Sequence, residues 1–117
     1  MEQTRAIDGF QALAHVHRLR IFRGLVRKGD AGASAGDIAD RLKMAPSSLS
    51  FHLDRLERAG LIRSERRGRR VIYAVDRQGT RALLAYLTED CCDGRPELCG
   101  ELILGHPAKP ARRRSSP

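Results

Sequence analysis

Cys91, Cys92 and Cys99 are the only cysteines of this 117-residue chain, and they fall within nine residues of one another. Three sulfur donors so close together suit a soft, thiophilic ion better than a disulfide. The odd count argues against a disulfide framework. The adjacent pair Cys91 and Cys92 is also poorly placed to bridge itself, because disulfide geometry is demanding. Asp93-Gly94 allows a turn that folds Cys99 back towards the pair. Arg95 favours thiolates by its charge, while the carbonyls of a preceding helix end oppose it. Structural zinc wants four ligands, and His106 is the only imidazole nearby.

A second chemistry is written in arginine. Arg63, Arg66, Arg67, Arg69 and Arg70 surround a single acid, Glu65. Five guanidinium groups on one short segment are suited to clamping phosphates, and such binding falls steeply with salt. The whole chain has Lys+Arg 22 against Asp+Glu 14, a net charge of +8. Half of that excess lies in residues 105–117, which carry Lys109, Arg112, Arg113 and Arg114 and no acid. The position of the charge therefore carries more information than its total.

The elements that must hold these groups follow from periodicity. Ile7, Phe10, Leu13 and Ala14 give residues 3–14 a helical spacing, and Leu19, Ile21, Phe22, Leu25 and Val26 do so for 17–28. A loop at 29–32 follows. Ser34 is placed to cap a short third helix over 35–42, with Ile38, Ala39 and Leu42 inward. Pro46 opens a fourth helix that runs to Arg58 and is closed by Gly60. The period then changes to that of strands at 61–66 and 71–75, turning around Arg67-Gly68-Arg69. Asp76 is placed to cap a last helix over 77–90, with Leu83, Leu84 and Leu87 on one stripe. A further short turn is expected at 97–104. The Pro-, Arg- and Ser-rich tail at 105–117 is expected to be disordered.

Helices followed by a basic hairpin give an α+β, mainly α fold in the order of a winged helix-turn-helix: helices one to four, a two-stranded wing and a long C-terminal helix. Residues 1–104 are expected to form this domain and the cysteine cluster at 91–99. On the fourth helix Leu49, Leu53 and Leu56 mark the buried stripe. Ser47, Phe51, Asp54, Arg55 and Arg58 lie opposite, with Ser48 beside them and His52 on the flank. Hydroxyls, an imidazole and arginine can bond to base edges or phosphates, and Phe51 can pack on a thymine methyl or against the third helix. His15 and His17 fall at the junction of the first two helices, as cap or surface residues.

The chain resembles the ArsR/SmtB family of bacterial metal-sensing repressors over roughly residues 10–90. The resemblance rests on Ala12-Leu13-Ala14 and Arg18-Leu19-Arg20-Ile21. It rests also on Ser47-Ser48-Leu49-Ser50-Phe51-His52-Leu53, Leu56, Ala59-Gly60-Leu61-Ile62, Arg67-Gly68-Arg69 and Tyr73. It implies a homodimer on double-stranded operator DNA. The recognition helix at 46–59 would use Ser47, Ser48, Ser50, Phe51, His52 and Arg55, and the wing at 62–75 would use Arg66, Arg67 and Arg69. The first and last helices would pair the subunits through Ile7, Phe10, Leu83, Leu84 and Leu87. His15-Val16-His17 replaces the family's frequent Asp-Pro-Thr. The third helix lacks the Cys-Val-Cys of many arsenic sensors, and the last helix has no histidine of the zinc-sensing kind.

What remains is Cys91, Cys92 and Cys99, which resembles the arsenite-sensing variants with cysteines after the last helix. Trivalent arsenic is three-coordinate, so three thiolates satisfy it; antimonite would mimic it. Cadmium or lead, a thiol-redox response, and a cytosolic metal-binding thiol protein are the alternatives. A thiol buffer would leave the arginine hairpin without a role. An arsenate-reductase loop of Cys-x5-Arg type is absent, since its arginine position holds Glu97 or Leu98. The expectation is a regulator that is not an enzyme, has no organic cofactor and no membrane span, and works in the cytoplasm, where thiols stay reduced.

Overall fold

The computed structural model describes residues 1–89. The cysteine cluster, the turn expected at 97–104 and the basic tail lie outside the described residues. Five helices and three short strands follow in the order α1 (Gln3–Leu13), α2 (Val16–Lys28), β1 (Ala33–Ser34), α3 (Ala35–Leu42), α4 (Pro46–Arg58), β2 (Ile62–Arg67), β3 (Arg70–Val75) and α5 (Arg77–Glu89). The fold is a winged helix-turn-helix.

The helix ends are set by local chemistry. The His15 side chain caps α2 by accepting from the His17 backbone N–H. Ser34 Oγ accepts from the Asp37 N–H at 3.2 Å and caps α3, a device worth about 1 kcal/mol. Lys43 then takes a left-handed conformation, φ 55, which turns the chain from α3 into α4. Pro46 occupies the first turn of α4, where its missing N–H would have had no partner. The wing turns through Gly68-Arg69, with Arg67 opposite Arg70. A positive φ at Gly68 alone, the first of the two turn residues, matches the turn type whose twist suits a hairpin.

One element departs from the sequence expectation. Ala33 and Ser34 do more than close a loop and cap a helix: they form β1 and pair with Tyr73 and Ile72, giving a three-stranded antiparallel sheet in the order β1-β3-β2. Gly32 makes this pairing possible. Its φ is +65, and a Cβ there would collide with the Tyr73 carbonyl oxygen. The wing strands also begin one residue away from the expected starts, at Ile62 and Arg70.

The chain divides into two compact units after Thr80. In the first, residues 1–80, Ile21 and Leu25 of α2 are fully buried with Leu49, Leu53 and Leu56 of α4 and with Leu61 and Ile62 at the entry to the wing. Each such side chain contributes about 1.5–3 kcal/mol by leaving water, so the leucine stripe of α4 is what seats that helix. Asp76 accepts from the Gly79 N–H at 3.0 Å and starts α5. The second unit begins at Arg81 and is described as far as Glu89. In it Leu83 and Thr88 are buried, while Leu84 and Leu87 are exposed. The Thr88 hydroxyl donates to the Leu84 carbonyl.

Candidate nucleic-acid interface

With its leucine stripe buried, α4 leaves Ser47, Ser48, Ser50, Phe51 and Arg55 exposed. Phe51 is 56% exposed and so does not pack against α3. Its ring meets His52 edge-on, and the Arg55 guanidinium carbon stands 5.9 Å from its centroid. An aromatic ring and a cation held together on a solvent face can stack on and bond to groups in a DNA groove. Arg58 pairs with Asp54 at 3.1 Å, an exposed helix pair of small energy.

The wing is held beside this helix by the Ser64 hydroxyl, which donates to Glu57 at 2.8 Å. Arg66, Arg67 and Arg69 are exposed. Glu65 neutralises part of the hairpin through Arg67 at 3.2 Å and Arg63 at 3.8 Å, whereas Arg66 and Arg69 have no ion pair among the described residues. Arg70 is different: it donates to Ser34 Oγ at 2.8 Å and pairs with Asp37, so it ties the turn end of the wing to the start of α3. The Tyr73 hydroxyl is pushed above its ordinary pKa by burial first, and then by Glu57 and Asp54.

His52 departs from its expected place. The sequence puts it on the flank of the DNA-reading face, yet it is 7% exposed and turned inward. The reason is positional. His52 lies three residues after Leu49 and four before Leu56, which puts it on the buried stripe itself. There its ring centroid lies 4.7 Å from that of His15 and 5.7 Å from that of His17. Arg18, 8% exposed, reaches into the same cluster. Its Nε donates to the Ala12 carbonyl at 2.6 Å and its Nη1 approaches His52 Nδ1 at 3.2 Å. Burial lowers the pKa of His52, followed by the influence of His15, Arg18 and His17. His15 is lowered by desolvation and then by Arg18 and His17. Burial and then Arg55 lower that of Arg18.

Sequence reasoning missed this cluster, although three of only four histidines in the chain belong to it. The available signal was His15-x-His17 directly before an arginine on a helix with few other polar inward positions. Among the described residues, no group of three or more His, Cys, Asp or Glu is placed to hold a metal ion. Cys91, Cys92 and Cys99 lie outside them.

Of the residues expected to pair subunits, Ile7 and Phe10 are exposed on α1, and Leu84 and Leu87 are exposed on α5. Leu83 is 3% exposed and already covered in the single chain, so it has little surface to offer a partner. No helix among the described residues is long and apolar enough to cross a membrane.

Comparison with known proteins agrees with this geometry. Residues 13–65, from the end of α1 into the wing, match the family described as a helix-turn-helix domain. The chain is 33% identical over 91 residues to the HTH-type transcriptional regulator YgaV of Escherichia coli K12, covering 78% of this chain and 88% of YgaV. Among solved structures it is similar to an ArsR family transcriptional regulator at 28% identity and TM-score 0.66, covering 81% of this chain and 97% of that one. It is also similar to a protein described as a "possible transcriptional regulator for arsenical resistance", at 26% identity and TM-score 0.61, covering 80% and 95%. These relatives are regulators and not enzymes. With a leucine-seated helix-turn-helix, an arginine wing and relatives of this kind, the chain belongs to the ArsR-type winged helix-turn-helix transcriptional regulators.

Proposed function

We propose that this regulator is an arsenite-responsive repressor. Two copies bind operator DNA, pairing through the exposed Ile7 and Phe10 of α1 and Leu84 and Leu87 of α5. Ser47, Ser48, Ser50, Phe51 and Arg55 of α4 enter the major groove, and Arg66, Arg67 and Arg69 hold phosphates. A dimer of this kind sets its two recognition helices about one DNA turn, roughly 34 Å, apart.

The observation that carries the arsenite reading is the donor set. Three thiols lie within nine residues directly after the helix that pairs subunits, and the chain has no other cysteine. Trivalent arsenic or antimony takes three sulfurs and needs no fourth ligand, whereas structural zinc does. The similarity to a protein described as a possible regulator for arsenical resistance supports the same reading. Gathering Cys91, Cys92 and Cys99 around one centre would constrain the chain just past α5 and shift the subunit pairing. Half-site spacing then no longer matches the DNA. A coupling of about 1–3 kcal/mol is enough for a regulatory change in affinity.

Arsenite titration of the reduced protein, followed by sulfur–arsenic absorbance, tests the site. One equivalent per chain is expected. Losing an outer partner of a bound ion weakens affinity by roughly 10–100-fold, so replacing a ligand, as in Cys91→Ser, Cys92→Ser or Cys99→Ser, should weaken it by more. Unchanged binding in all three variants would remove the proposal. Tighter binding of cadmium or lead in direct competition would replace arsenite with that metal.

A further inference from the structure

Two imidazoles behind α4, the buried His52 and the half-buried His15, have a lone pair already committed. A guanidinium only donates, so the approach of Arg18 Nη1 requires an unprotonated Nδ1 on His52. The His17 backbone N–H likewise requires an unprotonated Nδ1 on His15, and this bond is the cap of α2. In the neutral ring the proton therefore sits on Nε2 in both. A second proton has only Nδ1 to go to. It would turn each acceptor into a donor facing a donor, and would add positive charge beside Arg18.

The surroundings offer that charge no relief. From α1 the cluster meets the Ala12 carbonyl, which Arg18 Nε already occupies. From α2 come His15, His17 and Arg18, and His17 Nδ1 is buried with no hydrogen-bond partner among the described residues. From α4 come His52, Phe51 and Arg55. The acids of these elements are turned to other partners. Asp54 pairs with Arg58 and Glu57 accepts from Ser64, while Asp8 lines an adjoining groove with Gln11, Ala12, Arg55 and Arg58 and has no hydrogen bond to any of the three imidazoles.

We propose that His15, His52 and Arg18 form a proton-operated latch between the start of α2 and the DNA-reading helix, so that acidification loosens α4 and lowers operator affinity without any metalloid. The inference rests on the assignment of α4 as the reading helix. Its direction is opposite to that of general electrostatics, because protons added elsewhere make the protein more cationic and strengthen DNA binding. The sign of the linkage agrees. A histidine held below its ordinary value of 6.5 in the fold leaves the folded hydrogen bonds intact above that value. These bonds break as pH falls through the lowered folded value.

The test is the affinity of the full chain, metalloid-free, for a duplex of its own promoter region at fixed ionic strength. Wild type should lose about tenfold between about pH 7.5 and about pH 5, a loss in the usual range of coupled equilibria. The variant His15→Asn/His52→Asn keeps an oxygen acceptor at both Nδ1 positions but cannot titrate there, and should change less than about twofold, within the scatter of additive site effects. A Cys91→Ser/Cys92→Ser/Cys99→Ser chain should retain the wild-type profile. Wild-type affinity that is flat, or rises on acidification, overturns the latch, as does an equal loss in the double variant. If the double variant does not show native circular dichroism, His52→Asn alone must flatten the profile for the latch to stand. Undiminished binding by Ser48→Ala/Arg55→Ala would instead remove the reading-helix assignment, which separates the two failures.

Discussion

Replacing Arg66, Arg67 and Arg69 together with alanine is expected to weaken operator binding about a thousandfold at about 0.1 M salt. All three side chains are exposed. Among the described residues the triple replacement breaks one surface ion pair, that of Arg67 with Glu65, so stability should change by less than about 1 kcal/mol. Each phosphate bound releases a counterion and contributes a slope of about −0.9 to log affinity against log salt. In the proposed dimer two wings lose six such charges, and the slope should become shallower by several units. Fluorescence anisotropy across a salt series reads both quantities. An unchanged slope would mean that the wing does not touch phosphate. Arg70 is excluded from the set because it holds Ser34 and Asp37, and its replacement would damage the fold as well as the charge.

The second large effect is on stability. A Cβ at Gly79 would collide with the Gly60 carbonyl oxygen, and Gly60 itself has φ +79. The two glycines let the first turn of α5 lie directly against the end of α4, and Asp76 N–H donates to the Leu61 carbonyl across the same junction. Backbone cannot rotate away as a flexible side chain would. Gly79→Ala should therefore destabilise by about 3 kcal/mol, the upper end of overpacking effects, and lower Tm by about 15 °C. Gly24→Ala is the matched control. Gly24 lies within α2 with nothing near its missing Cβ, and alanine there should stabilise by about 0.5–1 kcal/mol. Thermal melts at equal protein concentration compare them. A Gly79→Ala chain as stable as wild type would show that the junction gives way easily.

Much of this architecture is legible in the sequence because its local signals agree with one another. Ser34, Pro46, Gly60 and Asp76 mark element ends by chemistry that needs no tertiary context, and the Leu49/Leu53/Leu56 stripe orients α4. Strand β1 is not legible, since two residues cannot display an alternation, and its pairing depends on the distant Tyr73 and Ile72. The stripe also predicts the exposed face of Ser47, Ser48, Phe51 and Arg55. His52 defeats a reading by residue type: an imidazole suits DNA, but this one stands between two core leucines. The Arg18–His52 pair spans 34 residues of sequence, and no local rule announces it. Leu83 shows the converse limit. A leucine stripe names the apolar face, but it does not say which leucines the same chain covers and which it leaves exposed.

The most direct measurement is operator occupancy by the reduced 117-residue chain as arsenite is added at constant pH and salt. Wild type should leave the DNA by at least about tenfold in affinity, the minimum for a coupling that regulates, while Cys91→Ser, Cys92→Ser and Cys99→Ser chains stay bound. A wild-type protein that holds its operator undiminished at saturating trivalent arsenic would contradict the account.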